Sequence, residues 1–205
     1  MTNMPLFNRN SLQSLITLTC CLFMMQVSPV FSQETITWKN NVKGWRIAVD
    51  SSIGDSCFMV TAYEGGTLLR AQVNMNEEIF QFILADSSWK SLETGKLYDI
   101  KVQFGTLAPW TGLASVHHFS DDLPALIFDV TFEDEKAELF IEEFMRMTGV
   151  LIFYSGNVIS NLSLSGTYAA MQEVFACQSA MLDGGSGRDS DPFSNTPENS
   201  NDPFQ

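Results

Sequence analysis

The sequence is poor in histidine, a common metal ligand and a common catalytic acid or base. Its two histidines, His117 and His118, are adjacent, and neighbouring side chains of an extended chain point to opposite sides, so the pair cannot readily share one ion. No spaced histidine or cysteine completes a ligand set around them. We therefore expect no metal site and no cofactor, and we interpret the pair as part of an exposed polar loop.

A nucleophile motif of the Gly-x-Ser-x-Gly type is also missing. Without it, a catalytic triad cannot be argued from the order of residues alone. Glu138, Glu142 and Glu143 fall on one predicted helix, where acids are more typical of a solvated face than of a glycosidase site. No catalytic residue is assigned, and an envelope hydrolase that uses His117 or His118 remains an alternative interpretation.

Basic residues are scarce as well. The chain has 11 Lys and Arg against 24 Asp and Glu, which gives a formal net charge of -13. Proteins that bind nucleic acid gain free energy when Lys and Arg displace counterions from phosphates, and anionic lipid surfaces repel an acidic protein. The composition argues against nucleic acid as a partner and against attachment to membranes through charge.

The sequence lacks an apolar run of the roughly 20 residues that a membrane span needs. Its first apolar run, residues 15–27, follows Arg9 and is broken by Ser28-Pro29. This order is typical of a secretory signal peptide, and Val30-Phe31-Ser32 suits cleavage before Gln33. We predict a periplasmic or secreted protein with no transmembrane segment after cleavage. An uncleaved anchor is the alternative.

Cysteine becomes rare once the signal peptide is removed. Cys20 and Cys21 leave with it, so only Cys57 and Cys177 remain. In an oxidising compartment, two lone thiols far apart in sequence most simply form a disulfide. The alternative is that they are two separate buried thiols that pack as small apolar groups.

A hydrophobic fraction of 45% is ample for one core in a chain of this length. We predict an α+β fold, with an antiparallel β-sheet or sandwich-like meander and two helices in the C-terminal half. Short connections such as Gly65-Gly66 favour antiparallel pairing over parallel strands, which need crossover helices. The predicted strands cover residues 44–50, 57–63, 68–73, 79–84, 97–104, 126–130, 150–154 and 158–164, and the predicted helices cover 133–148 and 167–182.

The chain divides into three predicted parts: a signal peptide (residues 1–32), a compact α+β domain (33–182) and a disordered acidic tail (183–205). The tail is mostly Asp, Asn, Ser, Pro and Gly, which cannot bury enough apolar surface to offset the entropy of ordering. It contains two copies of Asp-Pro-Phe, which are interpreted either as weak paired anchors for a partner or as part of a solubilising end.

Aromatic residues offer a candidate binding surface. Trp45, Trp89 and Trp110 are candidates for an exposed aromatic surface, and the loops around Trp89 and Trp110 would form its recognition edge for a protein partner. Tyr63 is a further candidate binding residue. Packing in the core is the ordinary alternative for the three tryptophans.

Several short motifs occur in a fixed order along the chain: Gly44-Trp45, Cys57, Tyr63-Glu64-Gly65-Gly66-Thr67, Trp89, Gly95, Tyr98, Leu164-Ser165-Gly166-Thr167-Tyr168-Ala169-Ala170 and Cys177. Taken in this order, they resemble a small domain of exported, functionally uncharacterised bacterial proteins. The resemblance implies export and this layout of strands and helices, and it brings no assigned activity. We therefore expect a non-enzymatic periplasmic or secreted binding or accessory module that contacts a protein of the cell envelope; a structural component of an envelope assembly is a further alternative.

Overall fold

Ten antiparallel strands and two helices form the part of the chain that the structure, a computed structural model, describes: residues 35–50, 56–75, 77–133 and 136–185. The predicted signal peptide and both Asp-Pro-Phe copies lie outside the described residues. The strands are β1 (Thr35–Val42), β2 (Trp45–Asp50), β3 (Ser56–Ala62), β4 (Thr67–Asn74), β5 (Ile79–Asp86), β6 (Tyr98–Phe104), β7 (Trp110–Ser120), β8 (Leu123–Thr131), β9 (Gly149–Tyr154) and β10 (Asn157–Ser163), and the helices are α1 (Lys136–Arg146) and α2 (Thr167–Gly185).

The strands form one sheet in the order β1-β2-β3-β4-β5-β8-β7-β6-β9-β10. The fold is mainly β, and the predicted antiparallel sheet and the two helices of the C-terminal half are confirmed. Strands β1 to β5 form a simple meander, in which each strand pairs with the next in sequence. The neighbour of β5 on its other side is β8 and not β6. Within the described residues, neither helix is long and apolar enough to span a membrane.

Strand β7 joins the two halves of the sheet by changing its partner midway. Its first half, from Trp110 to Ala114, pairs with β6, and its second half, from Ser115 to Ser120, pairs with β8. The interpretation of His117 and His118 as part of a loop is therefore wrong: both are exposed, but they lie in a strand. Pairing with β8 holds this polar segment extended where its own sequence shows no clear strand pattern.

Strand β1 was not predicted either. It lies at one edge of the sheet, and its side chains are exposed along nearly the whole strand, so it lacks the alternation of buried and exposed residues by which strands are recognised. Its pairing with β2 is interrupted by register shifts after Thr37 and after Lys39. Such irregularities are typical of edge strands and discourage further strand pairing.

The core is an aromatic cluster between the inner face of the sheet and α1. Phe140 and Phe144 of α1 contact phenylalanines of the sheet, and the Phe140 ring centroid lies 5.0 Å from that of Phe104. The predicted burial of Tyr98, Ile100, Val102 and Phe104 along β6 is confirmed. Edge-to-face ring pairs of this kind add about 0.5–1.5 kcal/mol each beyond area burial, so α1 is firmly seated on the sheet.

The disulfide between Cys57 and Cys177 is confirmed, and it joins β3 to α2 inside the core. Next to it, the side-chain oxygen of Gln178 accepts a hydrogen bond of 3.0 Å from the backbone N–H of Cys57. Helix α2 continues to Gly185, three residues beyond the predicted end of the domain at Leu182. Covalent and hydrogen-bonded links thus hold α2 against the sheet.

Candidate functional site

A buried ion pair lies on the face of the sheet opposite the aromatic core. An Arg70 guanidinium nitrogen lies 2.8 Å from an Asp50 carboxylate oxygen, and both side chains are at least nine-tenths buried. The guanidinium stacks 3.8 Å from the centroid of the Phe58 ring. Burial lowers the pKa of Arg70, and the contact with Asp50 opposes that change. Removing one partner from a buried pair of this kind typically costs about 3–5 kcal/mol.

A row of hydrogen bonds extends this pair across the sheet to its surface. Arg70 Nε donates to Gln72 Oε1 at 2.7 Å, and Gln72 Nε2 donates to Gln81 Oε1. Gln81 Nε2 then donates to the exposed Asp129 carboxylate at 2.9 Å. Amide and guanidinium groups do not change their protonation state near neutral pH. We therefore assign this row a structural role in positioning strands β4, β5 and β8 and no role in acid–base chemistry.

His117 lies at the margin of this polar face, and His118, the next residue of β7, has different surroundings. The His117 ring packs edge-on against Phe119, with 5.0 Å between the ring centroids. Burial lowers the pKa of His117, and the nearby His118 and Arg70 lower it further. His118 Nδ1 lies 3.3 Å from the Thr94 hydroxyl oxygen. No group of three or more metal-ligating side chains is present in the described part of the chain.

Two of the predicted binding aromatics are fastened by hydrogen bonds to other elements. The Tyr63 hydroxyl donates to the carbonyl of Ser163 at 2.7 Å, and burial raises the pKa of Tyr63 to about 12. Trp110 Nε1 donates to Glu143 of α1 at 2.6 Å. Both side chains are half-buried and pack against the core.

Trp89, the third predicted aromatic, lies in the connection between β5 and β6 and is also half-buried against the core. Trp45 is fully buried, and its Nε1 donates to the carbonyl of Ser165 at 3.0 Å. The hydrogen-bond partners of Tyr63 and Trp110 thus lie on different elements, β10 and α1, and Trp89 packs against the same core from the connection between β5 and β6. Their role in binding stays a prediction.

An apolar groove that the sequence patterns did not indicate lies between α1 and α2. Its volume is about 340 Å³. Tyr168 and Phe175 remain 56% and 39% exposed in it, which is high for such large apolar side chains. We call it the helix groove; it is lined by Glu138, Ile141, Glu142, Met145 and Arg146 of α1 and by Tyr168, Gln172 and Phe175 of α2.

The two helices differ in the face they turn to solvent. On α1, charged residues cover the outer face, as in an ordinary amphipathic surface helix. Between residues 167 and 182, α2 carries a single charged residue, Glu173, whose carboxylate lies 2.7 Å from the Lys39 ammonium. The exposed side of α2 thus carries aromatic and small side chains with few charges, unlike that of an ordinary amphipathic surface helix.

The helical spacing of Ala170, Val174 and Cys177 predicts the inner face of α2 but gives no indication of this outer face. The signal that would have revealed it is the near-absence of charge together with the seven-residue spacing of Tyr168 and Phe175. Two aromatic residues seven apart lie two turns apart on one side of a helix.

A second groove, of about 330 Å³, lies on the outer face of β6 and β9. It is more polar than the helix groove, and Asp99, Lys101 and Tyr154 are among the residues that line it. Leu113, which pairs with Asp99 from β7, is 61% exposed. This surface is formed by strands, whereas the helix groove is formed by α1 and α2. Leu113 can therefore serve as a control position in experiments on the helix groove.

Comparisons with known proteins give a likeness of fold. No family model matches the chain, and no curated protein matches it. A solved structure, the crystal structure of invasion associated protein B from Bartonella henselae, superposes with a TM-score of 0.50 at 9% sequence identity. The match covers 70% of this chain and 99% of that one. At this level of identity the likeness shows a shared fold and nothing about activity.

Proposed function

We propose that this chain is an exported, non-enzymatic binding module that contacts a protein of the cell envelope through the helix groove. The observation that carries the proposal is the exposure of Tyr168 and Phe175 on a helix that a buried disulfide fastens to the sheet. Large aromatic side chains on a rigid support are the usual anchors of protein interfaces. Their conformational cost on binding is small, because the helix that carries them is already ordered.

Export is the part of the proposal that the disulfide supports. Disulfides persist in oxidising compartments and are rare in the cytosol, and the link between Cys57 and Cys177 lies inside the core of this fold. The order of residues from Arg9 to Ser32, which is typical of a signal peptide, agrees with that setting. A periplasmic or secreted location follows as part of the proposal.

Membership of the family of exported domains that the motifs resemble is also proposed, on the grounds that those motifs have structural roles here. The Gly65-Gly66 pair forms the turn between β3 and β4. Gly166 lies against the turn between β1 and β2, close to Lys43. Such roles explain why these residue types occur in this order, and they assign no chemistry to them.

Site-specific photocrosslinking in the native host tests the proposal. A photoreactive phenylalanine analogue in place of Gln172, inside the helix groove, is compared with the same analogue in place of Leu113 on the other face. We expect processed, fully oxidised protein outside the cytosol, with a crosslinked partner at position 172 and none at position 113. Equal crosslinking at both positions, or protein with free thiols in the cytosol, would contradict the proposal.

A further inference from the structure

We infer, building on the proposed function, that the segment seated in the helix groove is an amphipathic α-helix of a partner protein whose apolar anchors are flanked by Lys or Arg. Three features of the groove lead to this partner: the spacing of its apolar side chains, the charges at its margin and the absence of charge among the α2 residues that line it.

The spacing of the apolar side chains matches a helical ligand. Tyr168 and Phe175 lie two turns apart on α2, about 10 Å along the helix axis. Ile141 and Met145 lie one turn apart on α1 and line the same groove. A helix docks in such a groove through side chains at positions i, i+4 and i+7, which recur at these separations. A third helix lying between α1 and α2 would thus cover the apolar side chains of both.

The margin of the helix groove sets the charge of that helix. Glu138 and Glu142 of α1 line the groove and are exposed. Arg146, the one basic residue lining it, already pairs with Glu142 at 3.1 Å. On the α2 side the lining residues carry no charge. The local surplus of acid, within a chain of net charge -13, attracts a basic flank and repels an acidic one.

Two synthetic helical peptides of about 16 residues test the inference. Both carry leucines at i, i+4 and i+7; the flanking positions are lysine in one and glutamate in the other. Binding to the oxidised full chain is measured by titration. We expect the lysine peptide to bind at least about tenfold more tightly than the glutamate peptide, and its affinity to fall as salt is added.

Variants locate the binding and separate charge from packing. Phe175→Ser should weaken the binding of the lysine peptide about tenfold or more, whereas Leu113→Ser, an exposed change on the other face, should leave it unchanged. The double variant Glu138→Lys with Glu142→Lys should reverse the preference in favour of the glutamate peptide. Because these four side chains are exposed, thermal unfolding midpoints close to that of the original chain serve as the folding control.

Several outcomes would overturn the inference. They are equal affinity for both peptides, binding of neither, no reversal by the double charge variant, or a switch of the chain to a dimer through this face. The proposed function is tested separately, since it requires a crosslink at position 172 without one at position 113, in exported and oxidised protein. If that crosslink forms to a segment that is neither basic nor helical, the binding module stands and the basic helix is wrong.

Discussion

At Gly166 the backbone passes so close to the turn between β1 and β2 that there is room only for a hydrogen. Its φ of 86° lies in the left-handed region. A Cβ atom there would lie 2.7 Å from the Lys43 carbonyl oxygen and 2.8 Å from the Lys43 Cβ. The start of α2 and the first hairpin are thus in contact at a position where no side chain fits.

We predict that Gly166→Ala destabilises the chain by about 2–5 kcal/mol, of which about 1–2 kcal/mol is left-handed strain and the remainder is overpacking against Lys43. Gly65→Ala is the matched control, because Gly65 has a similar φ of 94° with nothing within 4 Å of an added Cβ. Gly65→Ala should lose only the stability that left-handed strain costs, about 1–2 kcal/mol. Urea unfolding of the two variants measures the difference, and equal losses would contradict the described contact.

His117 provides a test of the polar face through pH. Its pKa is lowered in the folded chain, first by burial and then by His118 and Arg70. The unfolded chain therefore binds a proton at this side chain more readily than the folded chain does. Stability that is present above the unfolded pKa of about 6.5 should be lost as pH falls through the folded pKa.

His117→Gln should reduce this acid-side loss of stability. The measurement is the free energy of unfolding from urea titrations at pH 7.5 and at pH 5. His118→Gln is the comparison, because it removes the smaller contribution of His118 and keeps both the His117 imidazole and its burial, the largest cause of the lowered pKa. If the two variants lose stability equally between these pH values, the described surroundings of His117 are wrong.

At the scale of elements, the sequence predicts those strands and helices that bury one regular face. The alternation from Tyr98 to Phe104 and the helical spacing of Phe140 and Phe144 both give buried faces in the structure. The sequence does not predict β1, because nearly all its side chains are exposed, or β7, because that strand changes partner after Ala114. Their conformation is imposed by neighbouring strands rather than by their own pattern.

The disulfide acts between elements, since it fastens α2 to β3 across a sequence separation of 120 residues. On the chain-entropy model, closing a loop of this size stabilises the fold by about 4–5 kcal/mol. We predict that the double variant Cys57→Ala with Cys177→Ala loses stability by about this amount, measured by urea unfolding of oxidised protein. A loss below about 1 kcal/mol would show that the packing of α2 holds it without the bond.

For the molecule as a whole, the helix groove shows what sequence patterns miss. The hydrophobic periodicity identifies the inner face of each helix. The groove, however, depends on how α1 and α2 pack side by side, and the two helices are separated in sequence by β9 and β10. The side chains of Tyr63 and Trp110 donate hydrogen bonds to Ser163 and Glu143. The sequence could not predict these bonds, because the partners are distant in sequence. The pairing of two lone cysteines was predictable because it needs only their number and an oxidising setting.

The size of the chain in its native extract tests the central claim most directly. In size-exclusion chromatography of an unfractionated native extract, the oxidised chain should elute in an assembly larger than the monomer of the processed chain, which is lighter than the 22.9 kDa of the full sequence. Tyr168→Ser with Phe175→Ser should elute as a monomer, with a thermal midpoint close to the original because both side chains are exposed. A variant that keeps the larger assembly, or an original chain that is already monomeric, would contradict a partner-binding role for the helix groove.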